Sequence, residues 1–86
     1  MGLDTVELVM AIEDEFGIQI QNQDAARLGI IGDLYDHVIQ ILKQRGETPD
    51  EIKNWERFIA VVVQQTGVKP DKVERSTRIV EDLKLD

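Results

Sequence analysis

Apolar residues recur at helical spacing along most of this chain, and the pattern predicts four helical segments. The first runs from about residue 4 to residue 16, and four of its apolar residues share one face: Leu8, Val9, Ile12 and Phe16. Asp4 is a suitable N-cap, and Gly17 follows the last residue of the pattern. A short second helix is expected from about residue 23 to residue 28, where Gly29 ends it.

Two longer helices are expected in the middle of the chain. One begins at residue 32 or 33, ends near residue 44 and is followed by Gly46. The other begins at Thr48 as N-cap, with Pro49 at the first helical position and Glu51 completing a capping box, and it stops at Gly67. Its apolar stripe consists of Ile52, Trp55, Ile59, Val62 and Thr66, widened by Phe58 and Val63. The predicted core is Leu8, Val9, Ile12, Phe16, Ile31, Leu34, Val38, Leu42, Ile52, Ile59, Val62 and Leu83.

The segments between the helices read as loops that are anchored by apolar side chains. Residues 17–20 alternate like a strand but have no second strand to pair with, so we expect an extended loop with Ile18 and Ile20 turned inward. Residues 68–86 are spaced too irregularly for one helix, which predicts a long loop held by its apolar residues. His37 lies off the apolar stripe of its helix and is expected to be a solvated side chain.

The first helix carries an unusual outer surface. Val6 and Met10 fall outside its core-facing side and lie beside acidic residues. One interpretation is a docking face for a partner protein, and the other is that both side chains are partly buried at the margin of the core. The sequence leaves these two interpretations open.

Composition narrows the class of protein. Eighty-six residues form one domain, and the absence of cysteine excludes a disulfide scaffold and a cysteine zinc site. No apolar run is long enough to span a membrane, and the first residues lack a basic region of signal-peptide type, so we expect a cytoplasmic protein. The net charge of −7 disfavours nucleic acid and suits a partner with a basic patch, although negative charge can also serve solubility alone.

The two ends of the chain together resemble one continuous segment of acyl carrier proteins. Residues 67–73 and 79–86, GVKPDKV and IVEDLKLD, are similar to the end of the first helix and the long first loop of that family. Residues 3–8, LDTVEL, are similar to the start of its second helix. The resemblance therefore implies an all-α, four-helix bundle in circularly permuted order. Residues 1–45 match family helices II to IV, residues 46–50 form a linker, and residues 51–86 match helix I and the first loop.

The resemblance also places Gly2 where the family has the serine that carries 4′-phosphopantetheine. Ser76 is the only serine, and it lies in a different motif, Glu-Arg-Ser-Thr-Arg. We therefore expect no phosphopantetheine arm, no other cofactor, no metal and no enzymatic activity. The family's docking helix corresponds to a set of six partner-binding residues here: Asp4, Val6, Glu7, Met10, Glu13 and Asp14.

The expected function is accordingly an arm-less binding module that docks a protein of fatty-acid or polyketide type biosynthesis. The alternative is a genuine acyl carrier protein that bears phosphopantetheine in its native or full-length form. A third possibility is a binding domain that kept the fold and left the pathway, because fold alone does not establish function. Both a monomer and a dimer with exchanged segments remain open.

Overall fold

A computed structural model of the chain describes residues 5–25 and 27–79. Within these ranges the chain is helical, with three helices of at least 12 residues: α1 (Thr5–Phe16), α2 (Ile31–Gln44) and α3 (Glu51–Thr66). Asn22–Ala25 is a single helical turn, and Pro70–Lys72 is a 3-10 turn. The all-α prediction is confirmed for the described residues, whereas a four-helix bundle is not, because the second predicted helix is only one turn long there.

The helix ends follow the glycine signals in the sequence. Gly17 and Gly67 come directly after α1 and α3, with φ angles of 63° and 75°. Such angles favour glycine, since a Cβ would collide with the backbone in the left-handed region. The N–H of Gly67 donates to the carbonyl of Val63 at 2.8 Å, which closes the last turn of α3.

The core lies where α1, α2 and α3 meet. Four residues of α1 and four of α2 that were predicted to be buried are so: Leu8, Val9, Ile12, Phe16, Ile31, Leu34, Val38 and Leu42. Ile18 and Ile20 are also buried, as expected for inward-facing loop residues. Leu83 lies outside the described residues. Helix α1 packs mainly on α3, and α3 also contacts α2 and the 3-10 turn.

The buried side of α3 differs from the predicted apolar stripe by part of a turn. Its buried residues are Asn54, Phe58, Val61 and Val62, while Ile52 is 76% exposed and Ile59 only half-buried. Asn54 enters the core side because its side chain has a partner: its Oδ1 accepts a hydrogen bond from Arg57 at 3.2 Å. Helix α3 is apolar over a wider arc than the core covers, so periodicity alone could not select the buried part.

Trp55 and Phe58 join Tyr35 of α2 in an aromatic cluster between the two helices. The Tyr35 ring stands edge-on to both others, with centroid distances of 4.9 Å to Trp55 and 5.2 Å to Phe58. Edge-to-face pairs of this kind add about 0.5–1.5 kcal/mol beyond area burial. Trp55 is therefore a half-buried aromatic at the edge of the core.

The segment after the 3-10 turn returns to the start of α2. The N–H groups of Ile31 and Gly32 donate to the carbonyls of Thr77 and Arg75, each at 2.8 Å, and Ile79 donates to Gly29 at 2.9 Å. These bonds satisfy N–H groups that the first turn of a helix leaves without partners. With the buried side chains of Val73 and Ile79, they anchor this segment, so the predicted loop is confirmed for residues 73–78, whereas residues 70–72 form the 3-10 turn and residues 80–86 lie outside the described residues.

His37 is half-buried, with its Nε2 3.9 Å from the Asp24 carboxylate, so the prediction of a fully solvated histidine is only partly met. Among the described residues, no helix combines the length and apolarity needed to cross a membrane.

Candidate docking surface

The outer side of α1 is the surface on which most of the predicted partner-binding residues meet. Its inner side is fixed by the burial of Leu8, Val9, Ile12 and Phe16 against the core. That burial determines the rotation of the helix about its axis, and the rest of α1 must then face outward. The surface therefore follows from the apolar pattern of α1 itself.

Val6 and Met10 lie in solvent rather than at the margin of the core. Val6 is 64% exposed and Met10 is 55% exposed. They are four residues apart and hence neighbours on one helix face. These values decide against the margin interpretation that the sequence left open, and they leave an apolar pair on the surface.

Two predicted acidic residues, Glu7 and Asp14, flank this pair and are exposed. The helix from Thr5 to Phe16 contains four carboxylates and no basic residue. A face of this composition has a single sign of charge next to an apolar contact area. We define the α1 face as Val6, Glu7, Met10 and Asp14.

Glu13 has a different role from the one predicted. It is half-buried, and its Oε2 accepts a hydrogen bond from the N–H of Ile20 at 2.6 Å. Its backbone carbonyl accepts another from the N–H of Ile18 at 3.1 Å. Glu13 therefore holds the loop after α1 in place and borders the α1 face instead of forming part of it.

Two arginines that the sequence analysis did not single out secure the end of α1. Arg57 of α3 donates to the carbonyl of Glu15 at 2.8 Å and to its carboxylate at 3.0 Å, and its guanidinium lies 4.7 Å from the centre of the Phe16 ring. Arg45 donates to the carbonyl of Gly17 at 2.9 Å. Positive charge suits the C-terminal end of a helix, where carbonyl groups lack helical partners.

These arginines also affect how charge is distributed around α1. Arg57 pairs with Glu15 on the flank of α1 that faces α3, away from Val6 and Met10. No local sequence pattern could have identified the contact, because 42 residues separate its partners. The remaining predicted site positions, Gly2 and Asp4, lie outside the described residues.

In the described part of the chain, no three histidine, aspartate or glutamate side chains are grouped so as to hold a metal ion. Ser76 is exposed, in a turn in which the N–H of Thr77 donates to the carbonyl of Glu74 at 3.1 Å. The α1 face is thus the arrangement of the described residues that best fits a functional surface.

No family model matches the chain, and no solved structure matches it.

Proposed function

We propose that this protein is an acyl-carrier-like binding module without a prosthetic arm, which docks a protein of fatty-acid or polyketide type biosynthesis through the α1 face. One observation carries the proposal: Val6 and Met10 stand in solvent beside carboxylates on a helix that has no basic residue. The resemblance to acyl carrier proteins indicates the pathway to which the partner belongs, and the exposed α1 face is the proposed contact surface.

The apolar pair and the carboxylates of the α1 face suit a partner that combines a basic rim with an apolar depression. Covering the apolar pair removes apolar surface from water, a gross gain of about 25 cal/mol per Å² from which the entropy cost of association is subtracted. Carboxylates around the pair attract a basic partner over a distance and orient it before contact. An acidic or nucleic-acid partner would be repelled by the same charges.

The packing of the described residues is compatible with the permuted order that the resemblance implies. Helix α1 belongs to the first sequence block and α3 to the second, and these two helices pack on each other. Residues 75–79 of the second block bind the start of α2 in the first. The two blocks therefore share one core, as one rearranged bundle requires.

The missing arm is tested by intact mass. The protein is incubated with coenzyme A and a phosphopantetheinyl transferase, with a serine-bearing carrier protein as positive control. Because Gly2 offers no hydroxyl and Ser76 lies in a different motif, we expect the mass to stay unchanged while the control gains one arm. A gain by the protein itself would instead identify a genuine acyl carrier.

The docking surface is tested with purified synthases and transferases that act on carrier proteins, one at a time. Asp14→Lys should weaken binding about tenfold to any enzyme bound by the wild type. A base near the C-terminal end of a helix does not disturb its fold. Met10→Glu should also weaken binding although it adds a negative charge, because it replaces the apolar contact with a carboxylate.

Glu47→Lys is the matched control, since it makes the same charge change at an exposed position between α2 and α3. The affinity of this variant for the enzyme should stay within about twofold of the wild type. Losing the exposed ion pair of Glu47 with Arg45 costs little stability. Equal losses in Asp14→Lys and Glu47→Lys would show that only net charge matters. That result, or an absence of binding by every enzyme in the set, would overturn the proposal.

A further inference from the structure

Helix α3 exposes a second apolar stripe that the α1 face does not involve. The core covers the side that carries Phe58, Val61 and Val62. Next to it run Ile52, Trp55, Ile59 and Val63, of which Ile52 is 76% exposed and the other three are half-buried. We call these four residues the outer stripe.

A groove lies along the outer stripe. It has a volume of about 570 Å³ and runs between α3 and the 3-10 turn, where Pro70 and Val73 form its opposite wall. Trp55 separates it from a smaller cleft of about 270 Å³, which Tyr35, Ile52 and Arg75 line. The two depressions make the outer stripe accessible along most of α3.

We propose that a second copy of this chain covers the outer stripe, with the two α3 helices packed antiparallel about Ile59. The stripe residues are spaced by three, four and four positions, which keeps them on one side of a helix that pairs with another. A two-fold axis at Ile59 brings Trp55 of each copy beside Val63 of the other. Such an interface is self-complementary, because the same surface serves both copies.

The distribution of charge favours a second copy of the chain over a strongly charged partner. The protein carries −7 overall, so two copies repel each other on most of their surface. Helix α3 and the 3-10 turn differ, because their exposed charged residues balance, with three acids and three bases: Glu51, Glu56, Asp71, Lys53, Arg57 and Lys72. A strongly basic or strongly acidic partner would gain little on a balanced face.

The distribution of these charges also selects the antiparallel direction. Glu51 opens α3 with its carboxylate 61% exposed and 4.0 Å from Lys43 of the same copy, and Lys69 follows shortly after the end of α3. The antiparallel arrangement places Glu51 of each copy near Lys69 of the other, at both ends of the interface. A parallel arrangement would instead place Glu51 near Glu51 and Lys69 near Lys69.

The association is measured by sedimentation equilibrium from micromolar to millimolar protein, together with the fluorescence of Trp55, the only tryptophan. We expect a monomer–dimer equilibrium in which the emission shifts to shorter wavelength as the dimer forms. Ile52→Glu should weaken the dimer at least tenfold. Val6→Glu is its matched control, because it places the same charge on an equally aliphatic, exposed position of α1, and it should leave the dimer unchanged.

A charge exchange tests the direction. Glu51→Lys and Lys69→Glu should each weaken the dimer, and the double variant should restore it. Within one copy α3 is roughly 24 Å long, at 1.5 Å per residue, so the two side chains are separated by more than a Debye length of about 8 Å. Restoration can therefore come only from contacts between copies.

Three results would overturn the inference. The first is a monomer at every concentration, and the second is a dimer that survives Ile52→Glu. The third is a dimer that is indifferent to both single charge changes, as a parallel pair would be. Circular dichroism of each variant shows whether it is folded, and none of the substitutions alters a core residue. All outcomes are independent of docking through α1.

Discussion

Gly32 occupies a position where no side chain fits. Its N–H donates to the carbonyl of Arg75 at 2.8 Å, and a Cβ built on Gly32 would lie 2.7 Å from that same oxygen. The oxygen belongs to the backbone of the anchored loop, so it cannot rotate away as a flexible side chain could. The close approach of residues 75–77 to α2 thus depends on a missing methyl group.

Gly32→Ala should lower the free energy of unfolding by about 1–3 kcal/mol, as overpacking does elsewhere. The clash outweighs the better helix propensity of alanine, which is worth at most about 1 kcal/mol. Gly29→Ala is the control, because open space surrounds its Cβ position. Urea unfolding compares the two, and equal stability would contradict the close approach.

Tyr35 is a buried phenol whose ionisation should affect stability only at high pH. It is 2% exposed, and its hydroxyl donates to the carbonyl of Glu51. Burial raises its pKa above the ordinary value of about 10, and the nearby Glu51 carboxylate adds to the rise. The folded state therefore favours the neutral phenol.

The raised pKa sets the direction of the pH dependence. Below pH 10 the phenol is neutral in both states and its contribution to stability is complete. Above pH 10 the unfolded chain ionises first, and stability falls as pH rises through the folded-state pKa. Near-ultraviolet absorbance follows this ionisation directly, since Tyr35 is the only tyrosine. An alkaline step at or below the ordinary value in the folded protein would contradict the burial, and Tyr35→Phe should abolish the step.

At the scale of elements, α3 begins two residues later than its sequence signal indicates. The capping residue is Asp50, whose Oδ1 accepts hydrogen bonds from the N–H groups of Ile52 at 3.0 Å and Lys53 at 3.1 Å. Thr48 and Pro49 precede the helix, so the predicted capping box at Thr48 is wrong. A carboxylate at the N-cap also faces the positive end of the helix dipole, which favours Asp50 over a threonine hydroxyl.

Asp50→Ala should therefore destabilise the protein by about 1 kcal/mol, the usual cost of losing an N-cap. Thr48→Ala should change stability by only a few tenths of that, as is usual for exposed surface positions. Thermal unfolding of the two variants separates the alternatives. A larger loss in Thr48→Ala than in Asp50→Ala would restore the prediction made from the sequence.

At the scale of the whole molecule, stability depends on a small core with the aromatic cluster at one side. Phe58 is fully buried and contacts both Tyr35 and Trp55. A chain of this length has roughly 4–13 kcal/mol of stability in total. Removing one large core side chain costs about 3–5 kcal/mol, which is a large share of that range.

Phe58→Ala should therefore lower the midpoint of thermal unfolding by roughly 12–40 °C, at about 4–8 °C for each kcal/mol lost in a domain of this size. Val6→Ala truncates an exposed side chain and should leave the transition nearly unchanged. Calorimetry of both proteins checks this contrast. A sharp transition in Phe58→Ala within a few degrees of the wild type would show that the aromatic cluster is not central to the fold.

Local sequence determined most of the helical structure. Three helices, their glycine-marked ends, the inner faces of α1 and α2, and the inward direction of Ile18 and Ile20 all follow from periodicity and backbone conformation. These features depend on residues close in the chain, so a single sequence contains them. The same periodicity places Val6 and Met10 outside the core-facing side of α1 but does not decide whether they are exposed.

Only the tertiary structure decided which side of α3 is buried, because the helix is apolar over more of its circumference than one core can cover. It also decided that Arg57 secures the end of α1, that Glu13 holds Ile20, and that the loop before residue 80 binds the start of α2. These contacts join residues that are distant in sequence or depend on which of several neighbours a polar group selects. That choice depends on the packing of the whole chain, which no local pattern records.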